Sequence, residues 1–492
     1  MVPFFDSSTP FAGIFYGDVM TELWQLSGSE CAKRIADKDV KPSELVASVA
    51  ERIEVVNPHL NAITVDLRDE AMAQALAADA AIAAGPTNDL GPLFGIPVTI
   101  KENVDIAGLA TTNGIPDFVN LTATEDSPLV ARLKEAGAII IGRTNTPEFS
   151  MRATTDNPLR GRTVNPWGDE ISPGGSSGGA GSAAAAGMGP LHHGNDIGGS
   201  LRFPSSANGV TSVKPTTCRV PVFNSTAATE RGPLAQVMSV QGVIGRHVSD
   251  IRTGTRVLIQ PDPRDPISPP VPWTGPPVAG PDGRVRVAVT RETAGYTMHP
   301  GIGELIDLAA SHLADAGYDV MEVDPPPVIE AARGWFSAAT TEMKVTFDGP
   351  LRQFGSDTIR QIFDWYFELS TLLDLEGYVT TVANRTALMR RWKLFLQEYP
   401  LVLTPFLMRP MFDWSYDTTS LTAVADLFES AIYSTGINYL GLPSGVICPG
   451  LVNHRPAAIQ LVGDYYREDV ICDALEAIED RTGILVHQLW SR

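Results

Sequence analysis

Residues 172–204 read SPGGSSGGAGSAAAAGMGPLHHGNDIGGSLRFP, and the fold follows from how this stretch is understood. It holds two glycine clusters, each with a serine at the turn: Gly174, Gly175, Gly178 and Gly179 around Ser176, and Gly198 and Gly199 directly before Ser200. Glycine accepts positive φ and carries no Cβ, so such turns let several backbone N–H groups converge on one point, where a phosphate or an oxyanion can be held. Taken alone, GGSSGG has the composition of a flexible linker. Its flanks do not. The run enters an alanine-rich helix former at 182–186 and then a second glycine pair followed by Arg202, where a linker would continue in polar low-complexity sequence.

On the N-terminal side, residues 20–56 show helical apolar spacing in two pieces, the second opening at Pro42 and Ser43 as a capped helix does. NAITV (61–65) reads as a strand and 70–84 as an alanine-rich helix. GIPVTIKENVD (95–105) contains IPVTI, a β-branched run suited to a buried strand, with Lys101 at its C-terminal end. A helix over 127–136 leads through Gly137 into AIIIG (138–142), an apolar run without alternation and hence a strand covered on both faces. On the C-terminal side, a helix at 248–259 precedes a proline-dense connector, 261–283; a strand at 284–290, a helix at 301–316 and a strand at 318–324 follow. This rhythm predicts an α/β protein. The expected organisation is an N-terminal helical arm (1–60), a core carrying the glycine motifs (61–260), the connector, and a second part of the same fold (284–492). Residues 330–416 carry Trp335, Phe336, Trp365, Tyr366, Phe367, Trp392, Phe395 and Trp414. Helical aromatics are more often core than pocket wall, yet together they point to a roomy apolar cavity.

The 492 residues, 43% hydrophobic and 19% charged, suffice for a large core. With 37 basic against 57 acidic residues the formal charge is −20, so neither nucleic acid nor an anionic membrane surface is an expected partner. Cys31, Cys218, Cys448 and Cys472 lie far apart with no CxxC spacing, which argues against a zinc site or a disulfide scaffold and for a reducing, cytoplasmic compartment. Residues 1–20 lack the basic flank and unbroken apolar core of a secretory signal, and the uncharged part of 171–194 is Gly/Ser/Ala-rich, not a membrane span. A soluble monomer or homodimer is expected.

Cleaving an unactivated acyl bond takes a nucleophile, a group that accepts and returns its proton, and donors for the tetrahedral oxyanion. No GxSxG elbow is present, because Gly198 and Gly199 both precede Ser200 and Leu201 follows it. There is no HExxH, and the adjacent His192 and His193 are poorly placed to ligate one metal from a regular element, so no metal or other cofactor is expected. A phosphate-binding module would need GxxxxGK[ST], whereas Lys101 precedes the glycine loops.

GIPVTIKENVD, TNTPEF (144–149), GRTVNPW (161–167), SPGGSSGG, GNDIGGSLRFPSSANGV, KPTTCRVP (214–221) and GLPSGVICPG (441–450) together resemble the amidase signature family over most of the chain. The separations agree with that likeness, 75 residues from Lys101 to Ser176 and 24 from Ser176 to Ser200. The resemblance implies an α/β/α layered fold around a large mixed central sheet. It implies a nucleophile at Ser200, a bridging serine at Ser176 on a cis peptide after Gly175, and a base at Lys101. It places the oxyanion hole at the amides of Ile197, Gly198, Gly199 and Ser200. A lysine with an ordinary pKa near 10.4 is a cation at pH 7, so this role requires burial to disfavour its charge. Asp196 and Arg202 flank the second turn and are expected to pair and hold it; Ser177 and Ser172 are expected to brace the first. Asn145, Asn165 and Thr155 are candidates for orienting the loops. Met151, Arg152 and Thr155 are candidates for the acyl pocket. Two departures from the family pattern stand out, Cys218 where glycine is frequent and Arg152 where a small residue is. The activity implied is hydrolysis of amide C–N bonds through a Ser acyl-enzyme with water as acceptor, on an apolar arylamide, linear amide, carbamate (urethane) or ester. The alternative within the family is an amidotransferase A-type subunit releasing ammonia for tRNA-dependent transamidation, against which the acidic chain without a basic stripe argues.

Overall fold

The computed structural model describes residues 14–16, 19–85, 90–280 and 282–491; most of the N-terminal stretch read for a signal segment lies outside them. Among the described residues thirteen strands follow in chain order: β1 (Ile14–Tyr16), β2 (Val19–Thr21), β3 (Ile63–Asp66), β4 (Pro97–Lys101), β5 (Ile139–Thr144), β6 (Leu191–Asp196), β7 (Thr211–Lys214), β8 (Val240–Gly245), β9 (Arg286–Val289), β10 (Asp319–Glu322), β11 (Leu401–Pro405), β12 (Ser444–Val452) and β13 (Arg455–Gly463). The first two form a small ribbon; the other eleven form one mixed sheet in the order β10-β9-β11-β13-β12-β7-β8-β6-β4-β5-β3. Strands from both sides of the connector meet in one continuous ladder, β12 pairing with β7, and the described residues of 261–283 carry no regular element.

Neighbouring residues of the central strands point into different layers, as the two-residue strand period requires. Val243, Ile447 and Ile459 pack with Ile251, Ile306 and Ile471 of the helices Val248–Leu258, Pro300–Asp315 and Glu468–Thr482. Ile244, Val446 and Ala458 pack with Ala184 and Phe203 of the helices Gly178–Ala186 and Arg202–Asn208. Helices therefore cover both faces, which is why β4 and β5 are mostly apolar without alternation and are buried at every residue, Lys101 and Arg143 towards their C-terminal ends included. A third cluster, with Trp335, Phe363, Trp392 and Tyr439, joins helices of the aromatic-rich segment beside the sheet.

The helix expected at 182–186 begins four residues earlier, at Gly178. Tertiary packing overrides glycine's poor helix propensity here: a Cβ on Gly179 would strike the backbone of Ala62 and Asn145, so only glycine lets this helix lie against those loops. Cys218 has φ 61°, a left-handed conformation in which glycine is unstrained, which is the physical reason glycine suits this position; nothing in the structure explains the cysteine.

Candidate active site

Lys101 closes β4, which runs parallel to β6 with Thr99 opposite His192, so its side chain reaches the C-terminal end of β6 two residues further on. It is fully buried. Its Nζ lies 2.7 Å from Ser176 Oγ and donates to Asn195 Oδ1 at 2.7 Å; both partners are uncharged. Burial pushes the Lys101 ammonium well below the ordinary lysine range, and the Asp196 charge opposes this without reversing it. His193 places Nδ1 3.4 Å from the Lys101 backbone N and Nε2 2.9 Å from Gln241 Oε1. His192 lies between Thr99 Oγ1 and the Gly189 carbonyl. Burial pulls both imidazoles down to about 3, so they are neutral hydrogen-bonding groups of the strand.

The loop that brings Ser176 to Lys101 is built around close backbone contact. Its Gly175–Ser176 peptide is cis, and Gly174 has φ 74°. Thr155 Oγ1 donates to the Gly174 carbonyl at 2.9 Å and accepts from the Gly178 amide at 3.2 Å, clamping the loop at both ends. Ser172 Oγ accepts from the Gly174 amide at 3.1 Å, and Ser177 Oγ accepts from the Asn195 amide at 3.4 Å. Asn145 Nδ2 donates to the Gly161 carbonyl and to Thr163 Oγ1, and Asn165 Nδ2 bridges the carbonyls of Ser172 and Ala207.

The second turn is held by a buried ion pair. Arg202 Nε and Nη2 reach Asp196 Oδ2 and Oδ1 at 3.0 and 3.1 Å, with Asn438 Nδ2 donating to Oδ1 at 2.9 Å and Gln460 Oε1 receiving Arg202 Nη1 at 2.8 Å. Burial alone would raise the Asp196 carboxyl, but the Arg202 charge and hydrogen bonds outweigh it and hold it near about 2. The same carboxylate caps the turn, taking the Gly199 amide at 2.8 Å and the Leu201 amide at 3.1 Å. Gly199, at φ 126°, thus turns its N–H towards Asp196, and the oxyanion donor set expected from sequence loses that member. The amides of Ile197, Gly198 and Ser200 make no hydrogen bond within the described residues.

Ser200 is half-buried and lines, with Gly175, Ile197 and Gly198, a cavity of about 70 Å³. Its remaining wall is largely apolar, with Met151, Phe203, Trp335, Met343, Tyr366 and Phe428. Phe428 packs against Trp335 and Tyr366 at centroid distances of 5.9 and 5.3 Å. Of the aromatics singled out in sequence, Trp335 and Tyr366 reach this wall, whereas Trp392 belongs to the core. Met151 is on the wall as expected. Arg152 borders the cavity, but its guanidinium is taken up by Asp417, at 2.9 Å to each oxygen, and by Asp156, so it offers the cavity no free charge. Thr155 is not on the wall; its hydroxyl holds the Ser176 loop instead.

Sequence reasoning missed Asn195: alternation along β6 puts it on the face of His193, and only the tertiary structure brings Lys101 Nζ to it at the end of the strand. It also missed Trp335 and Ser434 as partners of the second turn, because both come from more than 130 residues downstream. Among the described residues no group of His, Cys, Asp or Glu is arranged to hold a metal, all four cysteines are free, and no helix is long and apolar enough to cross a membrane.

The cavity is lined by Ser200 and by the free amides of Ile197, Gly198 and Ser200, while the buried amine meets Ser176 directly behind Gly175 of the same wall; the protein is a hydrolase that cleaves amide C–N bonds. The sequence model of the family described as Amidase matches residues 44–472, and the chain belongs to that family, the amidase signature enzymes. It is 42% identical over 469 residues to an indoleacetamide hydrolase of Bradyrhizobium diazoefficiens, covering 95% of this chain and 88% of the relative. The A-type subunit of a glutamyl-tRNA(Gln) amidotransferase from Roseiflexus castenholzii is more distant, 30% identical over 488 residues and covering 94% and 97% of the two chains. Among solved structures, a bacterial aryl acylamidase of the amidase signature family superposes with a TM-score of 0.78 at 25% identity, covering 95% of this chain and 98% of the other.

Proposed function

We propose that this amidase hydrolyses a small primary amide with a planar aromatic acyl group, of which indole-3-acetamide is the member its indoleacetamide hydrolase relative suggests. The observation that carries the reading is a buried lysine with only uncharged partners, 2.7 Å from Ser176, beside a small aromatic-walled cavity that Ser200 lines. Apolar walls without a free charge favour a neutral acyl group, and the aromatic rings among them favour a flat one.

In this mechanism Lys101 Nζ is neutral, donates one N–H to Asn195 and accepts the Ser176 hydroxyl proton. Ser176 in turn takes the Ser200 proton as Ser200 Oγ forms its bond to the substrate carbonyl carbon. The carbonyl electrons move onto oxygen, where the amides of Ile197, Gly198 and Ser200 are available as donors. Collapse of that tetrahedral species breaks the C–N bond. The proton stored on Lys101 returns through Ser176 to the leaving nitrogen, which departs as ammonia. Water then repeats the sequence on the Ser200 ester and releases the carboxylic acid. Arylamides, carbamates and esters present the same carbonyl and enter the same steps. The reaction needs no cofactor, and the enzyme acts in the cytoplasm as a monomer or homodimer.

The test is conversion of indole-3-acetamide to indole-3-acetate and ammonia by the purified chain, followed by chromatography alongside anilides, linear amides, carbamates and esters. Preference for the arylacetamide supports the proposal; preference for long linear amides or failure on arylacetamides overturns the substrate assignment. A fluorophosphonate should label Ser200 in the peptide mass map, and label on another serine overturns the nucleophile.

A further inference from the structure

Each peptide group of the turn Ile197–Ser200 is held by at least one hydrogen bond. The Gly199 carbonyl accepts from the Phe203 amide at 2.7 Å, closing the turn onto its own helix. The Gly198–Gly199 peptide is fixed at both ends, its carbonyl receiving the Ser434 hydroxyl at 2.8 Å and its N–H going to Asp196. The Ile197–Gly198 peptide has a different anchor. Its carbonyl accepts the indole N–H of Trp335 at 2.8 Å. Trp335 is buried, stands on the helix Val328–Thr346, and forms part of the cavity wall. A Cβ on Gly198 would lie 2.9 Å from Trp335 Cζ2, so the ring also rests directly against that peptide.

In a trans peptide the N–H points opposite to the preceding C=O, so whatever fixes the Ile197 carbonyl fixes the direction of the Gly198 N–H. Gly198 has no side chain to restrain it and would otherwise allow this peptide to rotate. We infer that Trp335 is a positioning residue that aims the Gly198 amide at the oxyanion, so that one indole both contacts the acyl group and sets a donor for the transition state. This rests on the acyl-enzyme reading above, with Ser200 as nucleophile. Its consequence is that ring contact and catalysis are separable: the ring surface acts on binding, the N–H acts on turnover.

Replacing the Trp335 indole by benzothiophene, through incorporation of β-(3-benzothienyl)alanine, keeps the shape of the ring and removes the donor; Trp335→Phe is the simpler companion. The readouts are kcat and KM for indole-3-acetamide, the Kd of the product acid, and fluorophosphonate labelling of Ser200. Deleting an oxyanion donor outright costs about 10²–10³ in kcat, so misaiming one should cost about 10- to 100-fold. The benzothienyl protein should show that fall in kcat with KM and acid binding within about twofold of wild type, whereas a wall residue alone would change KM and acid affinity instead. Retention of kcat within twofold, or a loss confined to KM, overturns the inference. Absence of Ser200 labelling in the unmodified enzyme would instead remove the acyl-enzyme reading itself.

Discussion

Asn195→Asp changes one atom type in the site and tests the electrostatics of the base directly. The amide oxygen that now receives Lys101 Nζ at 2.7 Å would become a carboxylate oxygen. At that separation and an effective dielectric constant of about 20, a full charge pair gains about 6 kcal/mol, equivalent to about four pH units of stabilisation for the protonated amine. Placing a new carboxylate in a half-buried position costs several kcal/mol in return, so about two pH units should survive. The sign follows from the role of the amine. Burial lowers the Lys101 pKa and favours its neutral form; a carboxylate raises that pKa and favours the protonated form, so the base is lost at low pH and regained at high pH. The acid limb of kcat/KM for a neutral amide should therefore move upward by about two pH units. That is about a 100-fold loss at any pH on the limb, since each unit is tenfold, with activity recovering on the alkaline side. His192 and His193, held at about 3, and Asp196, held at about 2, do not titrate between pH 5 and 9; Lys214, which burial pulls down to about 7, does, so the assignment to Lys101 rests on the displacement of the limb by Asn195→Asp and not on the limb itself. Asn195→Leu, which removes the acceptor without adding charge, should not move the limb upward. A profile for Asn195→Asp that superimposes on wild type would refute Lys101 as the group whose neutral form drives the reaction.

Ser200→Ala should abolish turnover and Lys101→Ala should nearly do so, while Ser176→Ala keeps a small residual rate, all measured as ammonia release; wild-type rates for Lys101→Ala at pH 7 would exclude it as the base. Arg202→Met removes the partner of a buried carboxylate that remains in place, and should lower unfolding free energy by about 3–5 kcal/mol in urea titrations. Because the Asp196 carboxyl is depressed in the folded chain, its contribution to stability is present above the ordinary carboxylate range and lost as pH falls from about 4 towards about 2, so Asp196→Asn should flatten the acid side of the stability profile. Gly199→Ala forces a Cβ into φ 126° and against Ser434 Oγ and Phe203; both melting temperature and kcat should fall, and a neutral outcome would mean the turn is looser than its hydrogen bonds indicate.

The amino-acid order by itself determined the strand and helix rhythm and the two glycine turns that carry Ser176 and Ser200, because propensity and turn chemistry are local properties; the roles proposed for Lys101, Ser176 and Ser200 come from the likeness of these motifs to the amidase signature family. The strand ending at Lys101 and the apolar run at 138–142 were legible for the same reason, since a strand covered on both faces is largely apolar. Tertiary structure alone decided the rest. Burial lowers the Lys101 pKa well below the ordinary lysine range, which no neighbouring residue in sequence dictates. The Gly199 amide goes to Asp196 because Arg202 and Asn438 fix that carboxylate against the turn. Arg152 is neutralised by Asp417, 265 residues away, and Trp335 meets Ile197 across 138 residues. These are contacts between elements distant along the chain, and their geometry is set by how helices pack on the sheet: the sequence names the groups, and the packing settles which of them are charged, aimed and in reach.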